Sequence, residues 1–159
     1  MNNRFVSGLS KKTRRTVIEL LNHRLADTID LTLAVKQAHW AVKGPGFIGV
    51  HEMLDDVAAR MRESSDLIAE RVSILGGQAR GTSQSVSAHT KMKPYPEDLE
   101  EIERHIDELT QRFADVGERI REAIETAGEA GDEDSADIFT EVSRQIDKDA
   151  WFIGANIRK

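Results

Sequence analysis

Two pairs of side chains in the middle of the chain have the spacing of a chelate. His51 and Asp55 stand four residues apart, and so do Asp66 and Glu70. On an α-helix, residues four apart project from adjacent turns of one face, so each pair can close on an ion. At about 100° per residue, Asp66 lies only about 20° around the helix from Asp55, and all four side chains share an arc of about 100°. Imidazole with carboxylates is a hard-to-borderline donor set that suits Fe(II), Mn(II) or Zn(II) more than copper, and carboxylates also stabilise Fe(III). The plain alternative is a solvated face, because polar residues at this spacing are common on charged helices.

One helix cannot gather both pairs around one ion. Asp55 and Asp66 are eleven residues apart, which at 1.5 Å rise separates them by about 16 Å along the axis. The spacing is nevertheless symmetric: His51 is the counterpart of Glu70, and Asp55 of Asp66, about one midpoint between Arg60 and Met61. A second copy packed antiparallel on a two-fold axis at that midpoint would set each His-Asp pair opposite an Asp-Glu pair and create two equivalent sites. His39, just ahead of the chain reversal at Lys43-Gly44-Pro45-Gly46, is placed to supply another nitrogen. Di-iron sites inside a single four-helix bundle use Glu-x-x-His on two helices. That motif occurs nowhere in this chain, which disfavours a site within one subunit.

The elements that must carry these residues are helical. Ser10 can cap a first helix whose apolar positions, Val17, Ile18, Leu21, Leu25 and Ile29, recur at helical spacing to about Ala41. A second helix is expected from about Ile48 to Leu75, closed by Gly76-Gly77. The polar stretch from Gln78 to Lys93 reads as a long crossover with room for one short helical turn, the connection that sets a third helix parallel to the second. The third helix is expected to begin near Pro96 and reach about Thr126. After the interruptions at Gly128 and Gly131, Asp132 can cap a fourth that extends to roughly Asn156. The expectation is an all-α four-helix bundle over residues 10–159, preceded by a short tail of residues 1–9.

A chain of 159 residues with 39% apolar and 31% charged residues fits one water-soluble domain. The absence of cysteine excludes disulfides, thiolate zinc sites and cysteine nucleophiles, leaving His and carboxylate as the strong metal ligands. No membrane segment is visible, and Met1 to Ser10 lacks the apolar run of a signal peptide, so a cytoplasmic location is expected. The formal charge of -6, multiplied in a homo-oligomer, repels nucleic acid, so contact with DNA would need a local basic patch. Arg4, Lys11, Lys12, Arg14 and Arg15 form one, but a tail of about nine residues holds only Arg4, so binding is expected to be weak and salt-sensitive or absent.

At Lys36-Gln37-Ala38-His39-Trp40, Val42-Lys43-Gly44-Pro45-Gly46-Phe47 and His51-Glu52 the sequence resembles the Dps family, mini-ferritins named for DNA protection in starved cells. The likeness continues through Asp66, Ala69-Glu70-Arg71 and Leu75-Gly76-Gly77, and returns at Ala136 to Thr140 and at Asp147-Lys148 before Trp151-Phe152. The resemblance implies a ferritin-like fold and a hollow dodecamer of 23 symmetry that stores a ferric mineral. Ferroxidase sites at its two-fold interfaces would use His39, His51 and Asp55 of one subunit with Asp66 and Glu70 of the next, with two ions conceivable per site. Zinc or manganese could take the same ligands. The implied oxidant is hydrogen peroxide in preference to dioxygen, which removes both reagents of radical chemistry together, in the bacterial cytoplasm or nucleoid. An alternative in this family is physical protection of DNA by binding it.

By the same resemblance, Glu133, Asp137 and Glu141 line a three-fold pore through which Fe(II) enters, although acids at a helix start also complement its dipole. By analogy, Glu52 and Asp56 face the cavity as mineral nucleation points. Trp40 stands beside His39 and is expected to be a core or interface aromatic, as is Trp151. The family commonly has Asn after the His-Trp pair and Glu near the end of the last helix, where this chain has Ala41 and Gly154. His23 is about 160° around the helix from His39 and is read as structural, and His89 and His105 as surface residues.

Overall fold

The computed structural model describes residues 5–157, so Arg4 lies outside the described residues. Five helices follow one another: α1 Lys11–Ala41, α2 Phe47–Ile74, α3 Ser83–His89, α4 Ile102–Glu129 and α5 Glu133–Gly154. Two helical hairpins, α1 with α2 and α4 with α5, pack face to face, with α1 against α4, α2 against α5 and the short α3 lying on α1. This is the ferritin-like bundle with one long crossover, and no strand occurs among the described residues.

Its core is one continuous apolar cluster. Leu21, Leu31 and Val35 of α1 meet Leu54, Met61 and Ile68 of α2, and Ile106, Leu109, Phe113 and Ile120 of α4 meet Phe139 and Ile146 of α5, all but excluded from solvent. Helix starts fall where the caps allow. Ser10 Oγ accepts from Thr13 N at 3.0 Å, and Asp132 accepts from Ser135 N at 3.3 Å. Asp132 is also held by Arg71 of α2 at 2.6 Å, so the start of α5 is bolted to the end of α2.

Polar groups of α1 pin the crossover. Asn22 donates to Gln78 O at 3.2 Å and accepts from Arg80 N at 2.9 Å. At the far end, the buried Asp27 accepts from Lys91 N at 2.9 Å while Arg24 and Arg119 flank it. The expected single turn in this connection is the seven-residue α3.

Three sequence expectations need correction. The long helix after the crossover begins at Ile102, with Glu101 as its cap, and not near Pro96. Pro96 biases Tyr95 away from helical backbone, and tertiary bonds then hold the segment extended. Arg112 donates to Lys93 O at 2.7 Å and to Pro94 O at 2.9 Å. The same helix passes through Gly128 and stops only at Glu129. His105 is not a surface residue: it is 1% exposed, with its Nε2 3.0 Å from Leu99 O and its Nδ1 2.7 Å from Tyr95 Oη. The Leu99 carbonyl can only accept, so Nε2 carries the proton and the Tyr95 hydroxyl donates to Nδ1.

Candidate metal centre

The reversal between α1 and α2 places His39 opposite His51. Val42 closes α1 by donating to Ala38 O, and Gly44 and Gly46, at φ +126° and +80°, take backbone conformations that side-chain-bearing residues rarely adopt. Lys43 N donates to Glu100 O at 2.7 Å, and Lys43 Nζ lies 2.7 Å from Glu100 Oε1, so the segment just ahead of α4 braces the turn.

Across this turn the two imidazoles stack with centroids 3.7 Å apart and planes 19° from parallel. Each is fixed by the other's backbone: His39 Nδ1 is 2.7 Å from His51 O, and His51 Nδ1 is 2.8 Å from His39 O. A carbonyl only accepts, so each Nδ1 carries the ring proton and donates it, and each Nε2 keeps a free lone pair. Metal-binding histidines are commonly oriented by such a bond on the other ring nitrogen. The Phe47 ring lies 5.0 Å from that of His51 and borders the pair.

Asp55, one turn beyond His51, is exposed and bonded to Lys36 of α1, with Nζ 2.6 Å from Oδ1. The Lys36 ammonium, by hydrogen bond and by charge, holds the Asp55 carboxyl below the usual carboxylate range. Lys36 also sits 5.5 Å over the ring of Trp40. Trp40 is 69% exposed, so it is not a core residue of the isolated chain.

Asp66 and Glu70 are exposed on the same helix, three to four turns further on. The fold therefore brings His39 and His51 together, with Asp55 at their edge, and leaves the second pair apart. Among the described residues, no three His, Asp or Glu side chains gather as one ion's ligand set. Asp66 lines a cavity of about 540 Å³ between α2 and α5, together with Glu63, Glu141, Arg144 and Lys148. Glu141 shares that wall, whereas Glu133 and Asp137 lie exposed nearer the start of α5. Glu52 and Asp56 are exposed on α2. Lys11, Arg14 and Arg15 border a shallow groove against Leu75 and Gly76, with Lys12 exposed beside it.

Ala41 is the last residue of α1. Gly154 packs on α4, where a Cβ would meet Thr110 Oγ1 at an ordinary 3.5 Å.

Two features escaped the sequence reading. Lys36 stands one turn before His39, a position from which a long side chain reaches the next helix. Phe47 and Ile74 are exposed apolar residues at the two ends of α2, at 36% and 42%. They are equidistant from the midpoint between Arg60 and Met61, as are His51 and Glu70. An antiparallel pair of α2 helices with that axis would bring Phe47 against Ile74 of its mate, about one turn outside the ligands. The shared midpoint was readable from spacing alone, had apolar residues been paired as the acids were.

Comparison with known proteins gives the family and the fold. A model of the ferritin-like domain matches residues 18–159. The DNA protection during starvation protein of Agrobacterium fabrum is 48% identical over 153 residues, covering 96% of this chain and 94% of that protein. Among solved structures, the tetragonal form of Mycobacterium smegmatis Dps superposes with a TM-score of 0.94 at 31% identity, covering 100% of this chain and 96% of that one. An archaeal Dps homologue from Halobacterium salinarum gives 0.88 at 26% identity, covering 100% and 93%.

Proposed function

This chain belongs to the Dps family of ferritin-like proteins, and on that premise we propose that it oxidises Fe(II) at sites shared between two subunits and stores the ferric product. The observation that carries this reading is the division of the ligands. The stacked His39 and His51 present two free Nε2 atoms beside Asp55, while Asp66 and Glu70 stand at mirrored positions on the same helix, too far away to help their own chain. A mate related by the α2 midpoint completes two such sites at once, each with two imidazoles and three carboxylates. Iron is the substrate, and Zn(II) or Mn(II) would compete for the same donors.

With hydrogen peroxide as oxidant, two Fe(II) give one electron each. The O–O bond breaks, two protons are taken up and two waters leave. No hydroxyl radical is released, which is the protective outcome for DNA. The carboxylates carry the chemistry forward by stabilising the rise in charge from Fe(II) to Fe(III), as fixed charges at a reacting centre do. Around the site we place a closed homo-oligomer, a dodecamer of 23 symmetry, with the Glu133, Asp137 and Glu141 ladder drawing cations inward and Glu52 and Asp56 meeting the mineral. No helix among the described residues is long and apolar enough to cross a membrane, and we place the particle in the cytoplasm.

The test is anaerobic loading with Fe(II) followed by peroxide or dioxygen, comparing the native protein with His51→Ala and Asp66→Ala. Both variants are expected to assemble and to lose rapid oxidation. If both oxidise iron as fast as the native particle, the site is wrongly assigned. A second reading, physical protection by binding DNA, rests on the exposed Lys11, Lys12 and Arg15 at the start of α1. Such binding would be carried by a few phosphate contacts and would vanish between about 50 and 200 mM salt.

A further inference from the structure

A second pair of imidazoles stands well away from the candidate metal centre. His23 of α1 and His89, the last residue of α3, are half-buried, with ring centroids 5.9 Å apart and planes tilted by 60°. His23 is sixteen residues before His39, so this pair lies about 24 Å along α1 from the centre and about 160° around the helix. His89 Nδ1 is 2.8 Å from Ser85 O. A carbonyl only accepts, so Nδ1 carries the proton and Nε2 keeps its lone pair, the same device that orients His39 and His51. The His23 ring has no hydrogen-bond or ion-pair partner among the described residues, and a neutral imidazole keeps one lone pair in either tautomer. Neither ring has to hold the other in place. Asn22 pins the crossover ahead of α3, through Gln78 O and Arg80 N, while just after it Asp30 accepts from Thr90 Oγ1 at 2.6 Å and Asp27 from Lys91 N at 2.9 Å.

We propose that His23 and His89 form a separate two-imidazole seat for a borderline divalent ion such as Zn(II) or Ni(II), and that the bound ion staples the crossover helix α3 to α1. With each nitrogen about 2.1 Å from a shared ion, two imidazole rings stand with their centres about 5 to 6 Å apart. The observed separation of 5.9 Å already meets that requirement, so the ion closes on two rings that the fold has brought together. Water completes the coordination, because the nearby carboxylates are engaged elsewhere. Glu19, one turn before His23, is bonded through both oxygens to Arg80 at 3.1 and 3.2 Å. Asp27 is buried between Arg24 and Arg119, and Asp30 is bonded to Thr90. A seat of two neutral imidazoles and no carboxylate differs in chemistry from the His39 and His51 centre. It offers nothing that favours Fe(III), and Fe(II) stands near the weak end of the divalent series for nitrogen donors, so this seat selects ions other than the one the protein oxidises. The proposal stands apart from the shared-site reading above.

The experiment counts Zn(II) by calorimetry on the assembled native protein, His23→Gln and His89→Gln. Because the shared site also takes Zn(II), the quantity read is the difference between chains. Each variant should bind one Zn(II) per subunit fewer than the native protein, while all three oxidise Fe(II) at the same rate. Equal Zn(II) counts, or a loss in only one of the two variants, overturn the seat, and slowed iron oxidation in both overturns its separateness. Amide hydrogen exchange reads the staple. Zn(II) should slow exchange over Ser83–His89 in the native protein and leave His23→Gln unchanged, and exchange that Zn(II) does not alter in the native protein overturns that role. Should the variants fail to assemble, crystals of the native protein soaked in Zn(II) decide the matter without them. Anomalous diffraction at the zinc edge should show a peak between the two rings, and its absence there overturns the proposal whether or not the shared site is filled.

Discussion

If each site takes its imidazoles from one subunit and its distant carboxylates from another, two inactive variants must partly repair each other. His51→Ala damages one half of every site and Glu70→Ala the other. Each alone should slow peroxide-driven Fe(II) oxidation by more than about 10-fold, since even the outer partners of metal ligands cost that much. When the two chains assemble at random in equal amounts, half of the two-fold contacts are mixed. A mixed contact holds two sites, one with both halves damaged and one with both intact, so about a quarter of all sites recover. The separation along α2, about 16 Å between Asp55 and Asp66, forbids repair within a chain. The assay is stopped-flow oxidation of anaerobically loaded hybrids, co-expressed with two different tags and purified on both. A control hybrid of His51→Ala with Asp55→Ala, two lesions in the same half, should recover nothing. Well-assembled hybrids of the first kind with no more activity than their parents, or control hybrids with as much, refute the reasoning.

Three further outcomes follow from the geometry. Arg71→Ala strips the buried Asp132 of its cation at 2.6 Å and leaves a 2% exposed carboxylate with only Ser135 for company. It should cost about 3 kcal/mol in urea unfolding, and a loss below about 0.5 kcal/mol would contradict the bolt between α2 and α5. Burial lowers His105 from its ordinary 6.5, so the folded state prefers the neutral ring, and its contribution to stability is full above that value and lost as pH falls below it. His105→Gln should therefore show a smaller difference in stability between about pH 7.5 and about pH 5.5 than the native protein, and an equal or larger one would be a refutation. Asp137→Asn combined with Glu141→Gln should slow iron uptake at low ionic strength and leave particle size unchanged, with the difference shrinking as salt rises. Equal uptake rates at low salt would remove the ladder from the path of the ion.

Local chemistry made much of this molecule readable. Ser10 and Asp132 announce helix starts because a cap acts on a backbone N–H three residues away, within any short window of sequence. The end of α1 was likewise visible in Gly44 and Gly46. The start of α4 was misread because Pro96-Glu97-Asp98 has the composition of a first turn, while what decides the backbone there is Arg112, sixteen residues after Pro96, reaching back to two carbonyls. Such long-range donors leave no periodic trace. His105 is a different kind of miss. With Ile102, Ile106 and Leu109 it belongs to the buried stripe of α4, and the period alone could have placed it inside. The charges around it drew attention instead. Lys36 was invisible as a functional residue because its partner is on another helix, and pairing across helices is set by their packing.

The two ligand pairs are legible in the sequence because helical spacing is local. An ion needs several donors, one helix face supplies two per turn pair, and a symmetric interface doubles whatever that face carries. A two-fold axis through the middle of α2, as proposed above, would be written into the sequence as a midpoint, and the residues proposed for the contact should share it. Asp55 with Asp66, His51 with Glu70, and Phe47 with Ile74 all do. The same arithmetic imposes a cost. The exposed α2 face carries Glu52, Asp55, Asp56, Glu63, Asp66 and Glu70 against Arg62 alone, so two such faces brought together as proposed would repel one another until cations intervene. Lys36, bonded to Asp55 from the neighbouring helix, would lessen that repulsion before metal arrives, and a bound ion would remove more of it. In that arrangement assembly and metal binding would be linked through one set of charges, and each would strengthen the other.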